Sequence, residues 1–362
     1  MGATFLYGLM VLFPGLRAYS TRQDSQAFFR DAPLEQPIIR EYEDPIASYA
    51  YSEEIRARAK AAVIGAFVAD AASMPLHWIY DSALIDSLVE SNAPEFFDPP
   101  SCPFYEYALG ELSPYGDEAL PLLQSIAARG ELDPEGFSKD LLVAFENYRG
   151  RLNHASKAFM HNMRSGHRWP NCGVNDDQAH SLVKVPAVVA RYAGSPLLAI
   201  KMEQAIRVHQ DNQMAVDLGV AAARILEKVV LGDSVHAALE WARGDASSLP
   251  PSAVDLVRRV FHPTVLKKST RDAVAAFGKS CHLPESFLGP VHALAVAHNF
   301  THATRVNIYA GGDSCSRAAF IAACFAAQDG LGAIPAEWTR KVRRIGEIHR
   351  LADQVAAQLL VV

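Results

Sequence analysis

From Glu53 to the C-terminus, apolar residues recur at intervals of three and four, and no stretch alternates with period two for long enough to require a sheet. Ile55, Ala59, Val63, Ala66 and Phe67 share one side of a helix opened by Ser52-Glu53-Glu54. The second half of that helix is rich in Ala and Gly, as close-packed central helices are. Further helices are predicted over 117–129, 134–148, 178–193, 196–209, 214–230, 235–243, 253–260, 271–277, 284–300, 314–328 and 335–361. Gly130, Gly194-Ser-Pro196, Gly232, Pro250-Pro251, Gly330 and Gly332 punctuate them. The pattern predicts an all-α fold class, a single large multi-helix domain of a dozen or so helices without a short repeat.

With 362 residues, 50% of them hydrophobic and 20% charged, the chain can bury a large core. A formal net charge of −6 argues against nucleic acid or an anionic membrane surface as partner, because both need a basic face. Small molecules are the expected ligands. Five scattered cysteines without a C-x-x-C pair imply neither a disulfide framework nor a zinc knuckle. Residues 1–45 read as a leader or disordered extension and 46–362 as the domain. Met1 to Tyr19 is apolar and free of acids, with Arg17 and Ser20 at its end, which predicts a mitochondrial location with a cytoplasmic alternative. Beyond that stretch no membrane span is expected.

Four places carry chemical potential. Asp70 ends an apolar helix seven residues before His77, and a buried acid needs a partner or a ligand. Asp117 and Glu118 follow Ser113-Pro-Tyr-Gly at a helix start, where the macrodipole favours acids. Asn175, Asp176, Asp177, Gln178 and His180 form a polar cluster after a Gly turn, too dense for capping alone. Finally, Gly311-Gly312-Asp313-Ser314-Cys315-Ser316-Arg317 opens an Ala-rich helix and gathers a carboxylate, hydroxyls and free N–H groups. Asp and Ser oxygens suit a hard cation such as Mg²⁺, whereas Cys315 is a poor ligand for it. Arg317, in a first helical turn, calls for a carboxylate or phosphate partner.

Taken in order along the chain, these segments resemble the ADP-ribosylglycohydrolase family, and in particular its divergent branch of J1-type crystallins and selenoprotein J. Gly65 to Trp78 is similar to the family's Gly-Asp-(x)₆-Glu motif, with Asp70 kept and His77 in place of Glu. Tyr115 to Leu120 is similar to the Thr-Asp-Asp-Thr segment, where Tyr115, Gly116 and Glu118 replace three of the four residues and only Asp117 is kept. Gly311 to Ser316 is similar to Gly-Gly-Asp-Thr-Asp-Thr, with Ser314 and Ser316 for Thr and Cys315 for the last Asp. The resemblance implies an all-α fold and a binuclear Mg²⁺ site acting on ADP-ribosyl groups. With two acids replaced, it implies one Mg²⁺ ion in place of two.

The expected site follows from that match. Its catalytic residues are Asp70, His77, Asp117 and Asp177, and its metal ligands Asp117, Glu118, Asp313 and Ser316. Substrate contacts are expected from Gly311, Gly312, Ser314, Arg317, Asp176, Gln178 and His180. The expected activity is hydrolysis of a glycosidic bond in an ADP-ribosyl or related nucleotide-sugar substrate. The alternative is a non-catalytic, crystallin-like structural or ligand-binding member. Restoring acids by Cys315→Asp with Gly116→Asp is expected to raise Mg²⁺ affinity.

Overall fold

The structure, a computed structural model, describes residues 45–359. The leader expected over 1–45 lies, all but its last residue, outside the described residues. Among the described residues there are helices and two isolated β-bridges, Val174 with Gln210 and Gln178 with His282, but no strand.

The fold is built around two small-residue helices, Pro45–Ser73 and Ser314–Asp329, which lie against each other along much of their lengths. Gly65 makes this possible, since a Cβ there would come within 2.5 Å of Ala326 Cβ. From Ser314 to Ala327 every residue of the second helix is buried, the expected state of a helix apolar on all faces. Helices Pro114–Arg129, His180–Tyr192 and Gln213–Val230 pack around this pair, and nearly all buried apolar side chains join one continuous core. Ser52–Leu76 is long and apolar enough to cross a membrane, yet it is almost wholly buried in that core.

Several boundaries differ from the sequence expectation, each for a local reason. The helix predicted from Asp117 begins at Pro114, because Ser113 caps it and Pro suits the first turn. The span 284–300 divides into Glu285–Val296 and Phe300–Ala310, with the Asn299 side chain capping the second. The span 335–361 divides into Ala336–Lys341 and Ile345–Ala357. Three helices absent from the expectation, Ser82–Val89, His154–Arg164 and the short Pro263–Leu266, open on the caps Asp81, Asn153 and His262.

Candidate functional site

The Gly-Gly-Asp turn is fixed by backbone geometry. Gly311 and Gly312 hold φ of 72° and 66°, a region that costs an L side chain about 1–2 kcal/mol. A Cβ on Gly312 would also lie 2.2 Å from the Lys279 carbonyl. This turn docks on the segment after the first helix through Trp78 N–H to Gly312 O at 2.8 Å and Gly312 N–H to Ile79 O at 2.7 Å. Asp313 and His77 therefore meet although 236 positions separate them.

Asp313 is fully buried, and its oxygens accept from Trp78 Nε1–H at 2.7 Å and from the Ser316 hydroxyl. Burial raises its pKa against those donors and the nearby Arg317 charge. His77 is equally buried. Its Nδ1 accepts the Cys315 N–H at 3.1 Å and lies 3.4 Å from Ser314 Oγ, so the ring caps a helix that its own N-cap residue Asp313 leaves without a side-chain cap. Burial, then the Arg317 charge, holds His77 well below the ordinary imidazole pKa. A neutral ring suits a site facing helix N–H groups.

Asp70 has an analogous role at the other motif helix. Its Oδ2 accepts Ser113 N–H at 2.8 Å and its Oδ1 accepts the Ser113 hydroxyl at 2.5 Å. Ser113 Oγ in turn accepts from Tyr115 N–H and Gly116 N–H. Burial dominates and raises Asp70 to about 7. The space beside it amounts to only about 20 Å³, lined by Phe67, Tyr115, Gly116, Val183 and Ala319 among others. A Cβ on Gly116 would sit 2.3 Å from Asp70 Oδ2. The expected Gly116→Asp gain of metal affinity meets this obstacle, because the acid it would introduce collides with the acid it should assist.

Glu118 lies in a third, separate cluster. Lys184 Nζ is 2.7 Å from its Oε1, His180 Nδ1 2.8 Å from its Oε2, and His209 Nδ1 3.2 Å from its Oε1. Burial would raise this carboxyl, but His180, Lys184 and His209 together hold it well below the usual range. Burial lowers His209 to about 4, with Glu118 opposing. Glu118, His180 and His209 offer three ligand atoms within 4.8 Å of one another and are the group among the described residues that could hold a metal ion.

Asp117, next in sequence, faces elsewhere. It lines a cleft of about 420 Å³ together with Tyr107, Glu111, Tyr148, Arg149, Arg343 and Arg344. The Tyr148 hydroxyl bonds its carboxylate and pairs with the Tyr107 hydroxyl at 2.7 Å. Burial raises Asp117 to about 6.

The expected site residues thus fall into distinct groups. Asp313, Ser314, Ser316 and His77 meet; Asp117 and Glu118, adjacent on their helix, point into different surroundings. Asp177 is 46% exposed and paired with His282 at 2.6 Å, while Asp176 caps the Gln178 N–H and lies 3.8 Å from His180 Nε2. Arg317 meets neither carboxylate nor phosphate as a hydrogen-bond partner: its Nε donates to Asn307 Oδ1 at 2.8 Å and its Nη2 to Gly311 O at 2.5 Å. It clamps the glycine turn from inside. Ser113, Lys184, His209, Tyr148 and Arg344 were outside the expectation. Lys184 had left a signal, since a lysine between Val183 and Val185 on an apolar helix needs a buried acid.

A divalent Mg²⁺ needs several oxygen donors free to turn towards it. Asp70 and Asp313 each already accept two protein donors, Cys315 Sγ points to the Asp70 carbonyl at 3.6 Å, and Glu118 carries Lys184. The residues at the motif positions do not fit a Mg²⁺ pair.

Helices packed around two close-set central ones define an all-helical class. The chain belongs to the ADP-ribosylglycohydrolase family, whose sequence profile matches residues 51–361. It is similar to Crystallin J1A of Tripedalia cystophora, 28% identical over 331 residues covering 85% of this chain and 99% of the relative. Crystallin J1B of the same organism is 27% identical over 332 residues, covering 84% and 98%. A solved chain described as an ADP-ribosylglycohydrolase-related protein complex shares the fold, with a TM-score of 0.62 at 18% identity, over 85% of this chain and 100% of that one.

Proposed function

We propose that this protein binds an ADP-ribose-like phosphorylated sugar in the cleft around Asp117 and does not run a two-cation hydrolysis. The observation that carries this reading is the division of the motif acids. Asp70, Glu118 and Asp313 are buried against protein donors, whereas Asp117 lines a cleft whose 420 Å³ lies within the range of small-molecule sites. Arg149, Arg343 and Arg344 supply guanidinium groups for phosphate, and Tyr107 and Tyr148 supply hydroxyls and ring faces for a sugar or base. The similarity to proteins named Crystallin J1A and J1B supports a non-catalytic role.

Thermal-shift measurements with ADP-ribose test this. The melting temperature should rise by several degrees, equally with Mg²⁺ and with EDTA, and Arg344→Ala should abolish the shift. No shift under any condition removes the ligand reading, and Mg²⁺-dependent release of ADP-ribose from an ADP-ribosylated protein removes the non-hydrolytic one. One observation favours a second reading, a metal-independent hydrolase. A carboxyl raised to about 6 at the wall of a polar cleft is suited to general acid-base work near neutral pH. In that case the wild type would release ADP-ribose in EDTA and Asp117→Asn would not.

A further inference from the structure

The cluster around Glu118 is assembled from five elements. Glu118 comes from helix Pro114–Arg129, His180 and Lys184 from successive turns of His180–Tyr192, His209 from the end of Leu198–His209, Ser156 from His154–Arg164, and Asp176 from a loop. Rings of Tyr115, Phe145 and Phe159 stand 5.6–5.8 Å from the imidazoles and wall the cluster off. Within it, Glu118 Oε2, both nitrogens of His180 and His209 Nδ1 lack a well-aligned hydrogen bond. Such convergence of buried ligand atoms is what a metal site looks like, and two imidazoles with one carboxylate suit zinc better than magnesium.

The charges, however, are already balanced. The Lys184 ammonium sits 2.7 Å from Glu118 Oε1 and donates to the His180 carbonyl at 2.9 Å, so Glu118 and Lys184 sum to zero. A divalent ion would leave two uncompensated positive charges in a buried space. A further acid, Asp176, stays 3.8 Å from the far nitrogen of His180.

We infer that Lys184 is the resident cation of this cluster: its ammonium supplies the counter-charge to Glu118 and excludes a metal from a ready-made set of zinc ligands. The site is latent. This does not rest on the ligand reading above: Glu118, His180, Lys184 and His209 are not among the residues lining the Asp117 cleft, although a cavity of about 20 Å³ is lined by both Asp117 and Glu118. Two consequences follow. The wild type holds no metal at Glu118, and removing Lys184 creates a site whose occupancy restores the missing charge.

Calorimetric titration of Zn²⁺ into EDTA-treated protein decides between the two cations. The wild type should show no saturable binding that depends on His209. Lys184→Ala should bind one Zn²⁺ per chain at least 100-fold more tightly than the wild type, regain melting temperature on zinc addition, and lose both effects in Lys184→Ala with His209→Ala. The His209 control matters because the exposed His298, stacked on the half-buried His302, offers zinc another place. One equivalent of zinc bound by the wild type and lost in His209→Ala would overturn the inference, as would Lys184→Ala that folds and ignores zinc. If Lys184→Ala does not fold, the neutral double variant Glu118→Gln with Lys184→Met decides. It should melt above either single variant, and melting at or below both would refute the charge pairing.

Discussion

Replacing Gly116 by alanine should destabilise this protein, against the ordinary expectation for a helix. Within a helix, Gly→Ala stabilises by about 0.5–1 kcal/mol through lost unfolded-state entropy. Here the added Cβ would lie 2.3 Å from Asp70 Oδ2, 2.9 Å from Asp70 Cγ and 3.0 Å from Leu112 Cβ, more than an ångström inside normal contact on the carboxylate side. Asp70 cannot swing away freely, because both oxygens are held by Ser113. Overpacking of this kind costs about 1–3 kcal/mol, and displacing a hydrogen-bonded carboxylate about 1.5–3 kcal/mol more. Set against the propensity gain, the net loss is about 1.5–5.5 kcal/mol. Urea denaturation followed by circular dichroism reads it as a lower midpoint at unchanged slope. The comparison is completed in an Asp70→Ala background, where the carboxylate clash is gone, only the Leu112 contact at 3.0 Å remains, and Gly116→Ala should cost much less than in the wild type. A Gly116→Ala protein as stable as the wild type, or more so, would refute the account of Asp70 as a packed capping acid.

The contribution of Asp70 to stability should also fall as pH rises from 6.5 to 8. Asp70 has its folded pKa raised to about 7 from 3.8, so its contribution is fully present below about 4 and is lost as pH climbs through 7. His77 and His209, lowered from 6.5, act oppositely across the same window, because an unfolded imidazole is still half protonated at pH 6.5, so the Asp70 loss of roughly 1 kcal/mol is read only against an Asp70→Ala protein. Equilibrium unfolding at the two pH values measures it: Asp70→Ala should gain roughly 1 kcal/mol more than the wild type between pH 6.5 and 8, and an equal pH dependence in the two proteins would contradict the burial of that acid. Trp78→Phe keeps the ring stack on His77 but removes the donor to Asp313, and leaving that buried carboxylate short of a partner should cost about 1–3 kcal/mol. An unchanged melting temperature would show that Asp313 does not depend on the indole.

Helical periodicity carried the all-α reading, and caps explain most of what it missed. Asn153 and Asn299 start helices in stretches where the apolar pattern is weak or merges with its neighbour's, so a local side chain, and not periodicity, sets the boundary. The motif acids were legible as residues that demand partners, and each has one. Which partner each has was not legible, because Asp70 meets Ser113 and Glu118 meets Lys184 only through helix packing. Asp117 and Glu118 show the limit most plainly: one step along a helix turns a side chain by about 100°, enough to send one acid into a cleft and its neighbour into the core.

The close approach of Gly65 to Ala326 makes these two helices a lever. Asp70 lies five residues beyond that fulcrum, about 7.5 Å along the axis, and its carbonyl is met by Cys315 of the other helix. A single methyl at Gly65 would open the angle between the arms, so the spacing of the two acid-bearing ends is governed by a position that carries no chemistry of its own.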